Sequence, residues 1–224
     1  MASAKLALNG IAIVGLGGTG SYVLDFVAKT PVAQIHLIDG DVFNTHNAFR
    51  APGAPSIEEL RLQPYKVEHF KSIYSKMHKG IVAHPEHVDE SNVERLLRGI
   101  QFVFVCVDKA KPKALLLRKL EEYGIPFVDV GMGLFVKDAM LGGILRVTTS
   151  TPQQRAHVQA RIPCSEEEAE NEYDKNIQIA DLNAFNAVLA VVKWKKLFGF
   201  YADLEREHYS SYTVETNLLT SDET

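Results

Sequence analysis

From Gly10 to Met132, apolar runs alternate with amphipathic segments. "GIAIVG" (10–15), "QIHLID" (34–39), "GIVAH" (80–84), "FVFVCVD" (102–108) and "PFVDVGM" (126–132) are short apolar runs. Runs apolar on both faces predict strands buried on both faces, in a parallel sheet covered by helices. Between them, Gly18–Lys29 has helical spacing and predicts a helix with Tyr22, Val23, Phe26 and Val27 on its inner face. Val67, Phe70, Tyr74 and Met77 repeat the pattern after Pro64, a residue suited to a first helical turn. Pro112–Tyr123 predicts another helix, and Ser56/Glu59 and Ser91/Glu94 have the spacing of capping boxes.

Beyond Gly133 the pattern changes. "AMLGGILRVTTST" predicts shorter, antiparallel strands, and a polar stretch follows from Pro152 to Asn176. A long helix is expected from Ile177 to about Phe198, and "HYSSYTVET" as a terminal strand. The expected fold class is α/β: a Rossmann-like, mostly parallel sheet with helices on both faces and an antiparallel C-terminal extension.

Composition narrows the function classes. The 224 residues have ordinary globular proportions of apolar and charged residues, and a formal charge of −4 argues against a general nucleic-acid binder. Two distant cysteines, Cys106 and Cys164, exclude a disulfide framework or a four-cysteine zinc site within the chain, and suit a reducing compartment. No signal peptide or apolar run of about 20 residues is evident, so a cytoplasmic protein without a membrane partner is expected.

The chemistry starts at "VGLGGTGSYVLDFVAKTPVAQIHLIDGDVFNTHNAFR" (14–50). Gly15, Gly17, Gly18 and Gly20 lie between a strand and a helix, where backbone N–H groups can approach a phosphate. Asp39 ends the second strand, placed to accept hydrogen bonds from ribose hydroxyls. These features alone do not separate NAD from ATP. Asp41, Asn47 and Arg50 in the next loop, Lys66 opening a helix and Asp108 ending the fourth run favour ATP. A triphosphate under attack needs cations for developing charge and an acid for Mg²⁺.

Gly-x-Gly-Gly-x-Gly-Ser at 15–21, Asp-Gly-Asp at 39–41, Asn-Ala-Phe-Arg at 47–50, Gln-Pro-Tyr-Lys at 63–66 and Val-Cys-Val-Asp at 105–108 together resemble the ThiF/E1-like family. This is the adenylation fold of ubiquitin-activating enzymes and bacterial sulfur-carrier activators. The resemblance runs from about residue 10 to 133, is weaker through the long helix, and is greatest to the small bacterial members. It implies a single adenylation domain over 1–224, with a nucleotide-binding core at 10–133. Residues 134–224 would then hold a crossover loop, the long helix and the terminal strand.

The resemblance further implies ATP-dependent adenylation of the C-terminal carboxylate of a ubiquitin-like or sulfur-carrier protein, with a possible E2-like conjugating partner and a homodimer or pseudo-dimer. Asp39 would hold the ribose; Asn47, Arg50 and Lys66 the phosphates; Asp108 Mg²⁺; Asp41 would stand behind them. Lys109 and Lys113 stand where the family commonly has asparagine and arginine, and its zinc-binding CxxC pairs are absent, so no zinc is expected.

In members that go on to a thioester, a cysteine attacks the acyl-adenylate. Cys106 lies in an apolar run, as inert buried thiols do. Cys164 follows Pro163 in the polar stretch, where the family's crossover loop falls, and is the expected nucleophile, although Glu166, Glu167, Glu168 and Glu170 would raise its pKa. The alternatives are adenylation of a small molecule or tRNA base without a thioester, an NAD-dependent oxidoreductase, and an inactive scaffold subunit. "HPEH" (84–87) falls short of a metal site and suggests solvated histidines. Asn183 and Asn186 are unusual on an apolar helix and suggest an interface or the acyl channel.

Overall fold

The computed structural model describes residues 2–164 and 179–221. A short 3-10 turn, Ala2–Leu6, precedes eight strands: β1 (Gly10–Val14), β2 (Gln34–Ile38), β3 (Ile81–His84), β4 (Phe102–Val105), β5 (Phe127–Lys137), β6 (Met140–Ser150), β7 (Tyr209–Thr213) and β8 (Leu218–Ser221). They form one sheet in the order β3-β2-β1-β4-β5-β6-β7-β8. The first five are parallel, and β6, β7 and β8 add on antiparallel, as the expected fold class requires. The chain starts in the middle, builds outward to β3, then returns to the other side of β1. That reversal leaves a crevice above the carboxyl ends of β1 and β4, where open α/β sheets bind ligands.

Among the described residues the helices are α1 (Gly18–Val27), α2 (Thr45–Ala48), α3 (Ile57–Arg61), α4 (Lys66–Tyr74), α5 (Val93–Leu97), α6 (Ala110–Glu122), α7 (Val158–Arg161) and α8 (Ala180–Leu197). Ile11, Ile13, Phe102 and Phe104 bury one sheet face against α1, α4 and α8 through Val23, Phe70 and Trp194. Ala12, Val14, Val103 and Val105 bury the other against α5 and α6 through Leu96, Leu116 and Leu120. Alternate residues serve opposite cores, which is why these strands read as unbroken apolar runs. Among the described residues, no helix is long and apolar enough to cross a membrane.

Several boundaries differ from the sequence reading. β4 ends at Val105, so Cys106, Val107 and Asp108 form a loop over the crevice. β5 and β6 are long, joined by a tight turn in which Asp138 and Ala139 both have positive φ (50° and 60°). The glycines at 131, 133, 142 and 143 hide this hairpin from a propensity reading. β8 was not expected, since its four residues are all exposed and carry no burial pattern. The Ser56/Glu59 capping box forms. The Ser91/Glu94 box does not: Ser91 bonds to Asp89, and Asn92 occupies the N-cap. On α1 the buried residues include Val23, Leu24 and Val27, while Tyr22 and Phe26 are partly buried. α4 ends at Tyr74, leaving Met77 exposed.

Candidate functional site

A cleft of about 260 Å³ lies in the crevice. It is lined by Gly15, Gly17, Gly18, Asp39, Asp41, Arg50, Lys66 and Asp108, residues from four separate parts of the chain.

The three glycines serve different ends. Gly15 leaves β1 at φ +90°, and a side chain there would strike the Cys106 carbonyl at 2.5 Å. At Gly18 a Cβ would overlap the Asn183 carboxamide, whereas nothing lies within 4 Å of one at Gly17. Gly17 is also the N-cap of α1, with no side-chain cap, so the helix's first N–H groups open toward the cleft. Gly20 does not line the cleft; a side chain there would collide with Gly15 and Cys106, so this glycine lets α1 pack on the loop.

Asp39 is buried at the end of β2 and already accepts two backbone bonds, from Leu16 N–H (2.7 Å) and Asp41 N–H (2.8 Å). It therefore ties the glycine loop to the following loop. The buried Lys66 ammonium lies 2.7 Å from Asp41 and 3.7 Å from Asp39. Burial opposes ionisation of Asp41, but the hydrogen bond from Lys66 and the charges of Lys66, His87 and Lys109 outweigh it and hold the carboxyl below its usual range. Burial lowers the pKa of Arg50, opposed by the charge of Asp108, and its buried Nε has no hydrogen-bond partner among the described residues.

Asn47 lies outside the cleft lining. Its Oδ1 accepts from Asn44 N–H (2.9 Å) within a capping box, and its buried Nδ2 has no hydrogen-bond partner among the described residues.

The far wall was less visible in the sequence. Lys113 and Asp129 form a buried ion pair at 3.0 Å. The one signal was an acid inside the apolar run "PFVDVGM". Arg146, opposite Gly131 across β5 and β6, and Arg161, stacked on Tyr209 at 4.2 Å, also line this side. The two asparagines of α8 have structural partners: Thr19 Oγ1 donates to Asn183 Oδ1 (2.8 Å), and Asn186 Nδ2 donates to the Gly131 carbonyl (3.0 Å). Both line the cleft.

Cys106 lines the cleft from the β4 loop. Burial pushes its thiol well above the usual range; Asp129 adds to the shift and Lys113 opposes it, so the thiol stays protonated. Cys164 is half-buried against the apolar cluster under α5 and α6, close in sequence to the cleft residues Arg161 and Pro163 but not itself in the lining. The acidic residues Glu166, Glu167, Glu168 and Glu170 lie outside the described residues. His87 is exposed and lies 3.5 Å from Asp41. His84 is not solvated as expected: it stacks on His36, with Nδ1 of His36 3.0 Å from Nε2 of His84. Among the described residues no cluster of three His, Cys, Asp or Glu could hold a metal by itself.

Fold and cleft define a Rossmann-like α/β protein with cations and carboxylates gathered at the topological switch. More narrowly, the chain belongs to the ThiF family, whose model matches residues 2–223. Its relatives include the adenylyltransferase and sulfurtransferase UBA4 of Saccharomyces cerevisiae, 28% identical over 137 residues, 60% of this chain and 28% of the relative. The tRNA threonylcarbamoyladenosine dehydratase of Escherichia coli is 29% identical over 129 residues, 54% and 45% of the two chains. The chain thus spans less than half the length of these relatives. Among solved structures, E. coli MccB with MccA-N7isoASN superposes with a TM-score of 0.75 at 17% identity, over 99% of this chain and 66% of that one. PaaA gives 0.74 at 15% identity, again over 99% and 66%. At such identities the likeness supports the fold alone.

Proposed function

We propose that this chain is one adenylation domain that uses ATP to activate the C-terminal carboxylate of a ubiquitin-like or sulfur-carrier protein. The carrying observation is the convergence of Gly17, Asp39, Arg50, Lys66 and Asp108 on one cleft. The ribose hydroxyls bond to the free lone pairs of Asp39, and the triphosphate lies along the α1 N-terminus toward Arg50 and Lys66. Asn47, packed behind this loop, orders it and offers its spare Nδ2 donor to a phosphate. Asp41 holds Lys66 in place until the phosphates compete for it. Arg50 and Asp108 act on the reacting phosphate.

A carboxylate oxygen of the carrier attacks the α-phosphorus, the bond to the bridging oxygen breaks, and pyrophosphate leaves. The chain aligns the two anions and neutralises charge. A single carboxylate, Asp108, fits a Mg²⁺ shared with the phosphates, because Mg²⁺ commonly takes one or two carboxylates and completes its shell with phosphates and water. When bound, the ion neutralises the triphosphate.

Cys164 is proposed to take the acyl group as a thioester, releasing AMP, for transfer to an E2-like conjugating partner, with the chain working as a homodimer or pseudo-dimer. The likeness to UBA4 supports a carrier substrate. The likeness to the tRNA-modifying dehydratase supports a second reading, adenylation without a thioester. ATP–pyrophosphate exchange with candidate carrier proteins separates them. Exchange that appears only with a carrier supports the first reading; exchange driven by tRNA or a small acid rejects it. Hydride transfer gives Arg50 and Lys66 no role.

A further inference from the structure

A second cavity, of about 440 Å³, opens at the other end of the sheet. Its wall includes Pro126, just before β5, and Thr151, just after β6, and it shares no lining residue with the cleft. The volume falls within the range of about 300–1,000 Å³ typical of small-molecule sites. One side is apolar, formed by Pro126, Pro152, Leu197 and Phe198. The other side is charged, and its charges do not cancel.

Lys193, buried near the end of α8, donates to Asp203 (3.1 Å) and lies 3.6 Å from Glu207. Lys196 donates to Glu207 (2.9 Å) and lies 3.5 Å from Asp203. Two ammonium groups and two carboxylates make this network formally neutral. Burial opposes ionisation of Asp203, but the hydrogen bond from Lys193 and its charge outweigh it and hold the carboxyl below its usual range. Arg206 then adds one positive charge to the wall, and its guanidinium has no hydrogen-bond or ion-pair partner among the described residues. Its backbone is costly too: φ is 53°, a region that glycine and asparagine occupy far more readily than arginine. Two side chains of the same cavity hold it there. Arg206 N–H donates to Asp203 Oδ1 (3.2 Å), and the Arg206 carbonyl accepts from His208 Nδ1 (3.0 Å). Strain of this kind persists where the surroundings over-determine it and collects at binding sites.

We infer that this cavity binds a small organic monocarboxylate with an apolar body, at a site separate from the cleft. The carboxylate pairs with Arg206, whose planar guanidinium presents two N–H groups side by side, and the Lys193 and Lys196 ammonium groups add to its field. The body lies against Leu197, Phe198 and the two prolines, removing apolar surface from water. One negative charge balances the wall; a cation would meet Lys193, Lys196 and Arg206 together.

The test titrates 3-phenylpropionate, 3-phenylpropanol, 3-phenylpropylammonium and acetate into the full chain, followed by backbone amide NMR shifts. The aryl acid is expected to bind at least about tenfold tighter than the alcohol, the yield of a hydrogen-bonded charge, and at least about tenfold tighter than acetate, the yield of a buried ring. Shifts should centre on Thr151, Gln153 and His208 and persist when ATP is added. Arg206→Asn removes the charge and suits the left-handed backbone, so it should keep or raise Tm while weakening the aryl acid about tenfold. Equal affinity of acid, alcohol and ammonium, shifts confined to the cleft around Asp108, loss of the shifts with ATP, or full binding in Arg206→Asn overturns the inference. So does a dissociation constant for the aryl acid weaker than about 10 mM. The compound series needs no variant and decides the matter by itself.

Discussion

Gly17 and Gly18 are neighbours in the sequence, yet their replacement by alanine is expected to fail in different ways. A Cβ at Gly18 overlaps the Asn183 carboxamide, which must move. Moving it breaks the bond from Thr19 Oγ1 (2.8 Å) and the bond from Asn183 Nδ2 to the Ile179 carbonyl (3.0 Å). Overpacking costs about 1–3 kcal/mol and each lost hydrogen bond about 0.5–1.5, so Gly18→Ala should destabilise by about 2–6 kcal/mol. For a chain of this size that lowers Tm by at least about 4 °C. Gly17→Ala meets nothing within 4 Å and should cost less than about 1 kcal/mol, while its methyl group intrudes where the phosphates are proposed to lie. Urea unfolding and ATP titration of both variants separate the effects: Gly18→Ala loses stability, and Gly17→Ala loses about tenfold or more in ATP affinity at near-normal stability. A Gly18→Ala protein within about 0.5 kcal/mol of the parent would refute the packing argument. So would a Gly18→Ala/Asn183→Ala double variant whose two costs simply add, because groups in contact couple by about 0.5–3 kcal/mol.

Other outcomes follow from the same geometry. Lys113→Met leaves Asp129 buried without its ammonium partner and should destabilise by about 3–5 kcal/mol in urea unfolding, with much of that recovered in Lys113→Met/Asp129→Leu; an unchanged midpoint in the single variant would reject the pair's role. Burial holds His36, His69, His84 and His208 below the ordinary histidine value, reinforced at His36 by the charge of His84. The unfolded chain therefore binds more protons, and Tm should fall between pH 7.5 and 5.5, less steeply in His36→Gln; a Tm that rises with acid contradicts this. Cys164→Ala should abolish any thiol-sensitive adduct on a non-reducing gel while ATP–pyrophosphate exchange continues; an adduct that survives moves the thioester elsewhere.

The parallel core was legible because Ile11, Ile13, Ala12 and Val14 feed two cores at once, which writes an unbroken apolar run into the sequence. The wall of the cleft proposed to hold ATP was legible too, since Gly17, Asp39, Arg50, Lys66 and Asp108 fall near strand ends and helix starts that the pattern locates, and all five line the cleft. The opposite wall was not. Arg146 reaches the cleft through β5–β6 pairing, a long-range register that glycines at 131 and 143 conceal from local reading. Asn47 shows another limit: its spacing suggested a phosphate ligand but could not show that its Oδ1 is committed to the cap of α2, which leaves its Nδ2 for the proposed role. Spacing reports which residues share an element end, not which way each side chain is already bound.

The central claim is that Asp108 and its neighbours support attack of a carrier carboxylate on ATP. It is tested most directly by carrier-dependent ATP–pyrophosphate exchange in the parent protein and in Asp108→Ala. The account predicts exchange in the parent that requires both Mg²⁺ and a carrier with an intact C-terminal tail, and a loss of at least about a hundredfold in Asp108→Ala. Exchange that persists undiminished in Asp108→Ala, or that proceeds without any carboxylate acceptor, would contradict it.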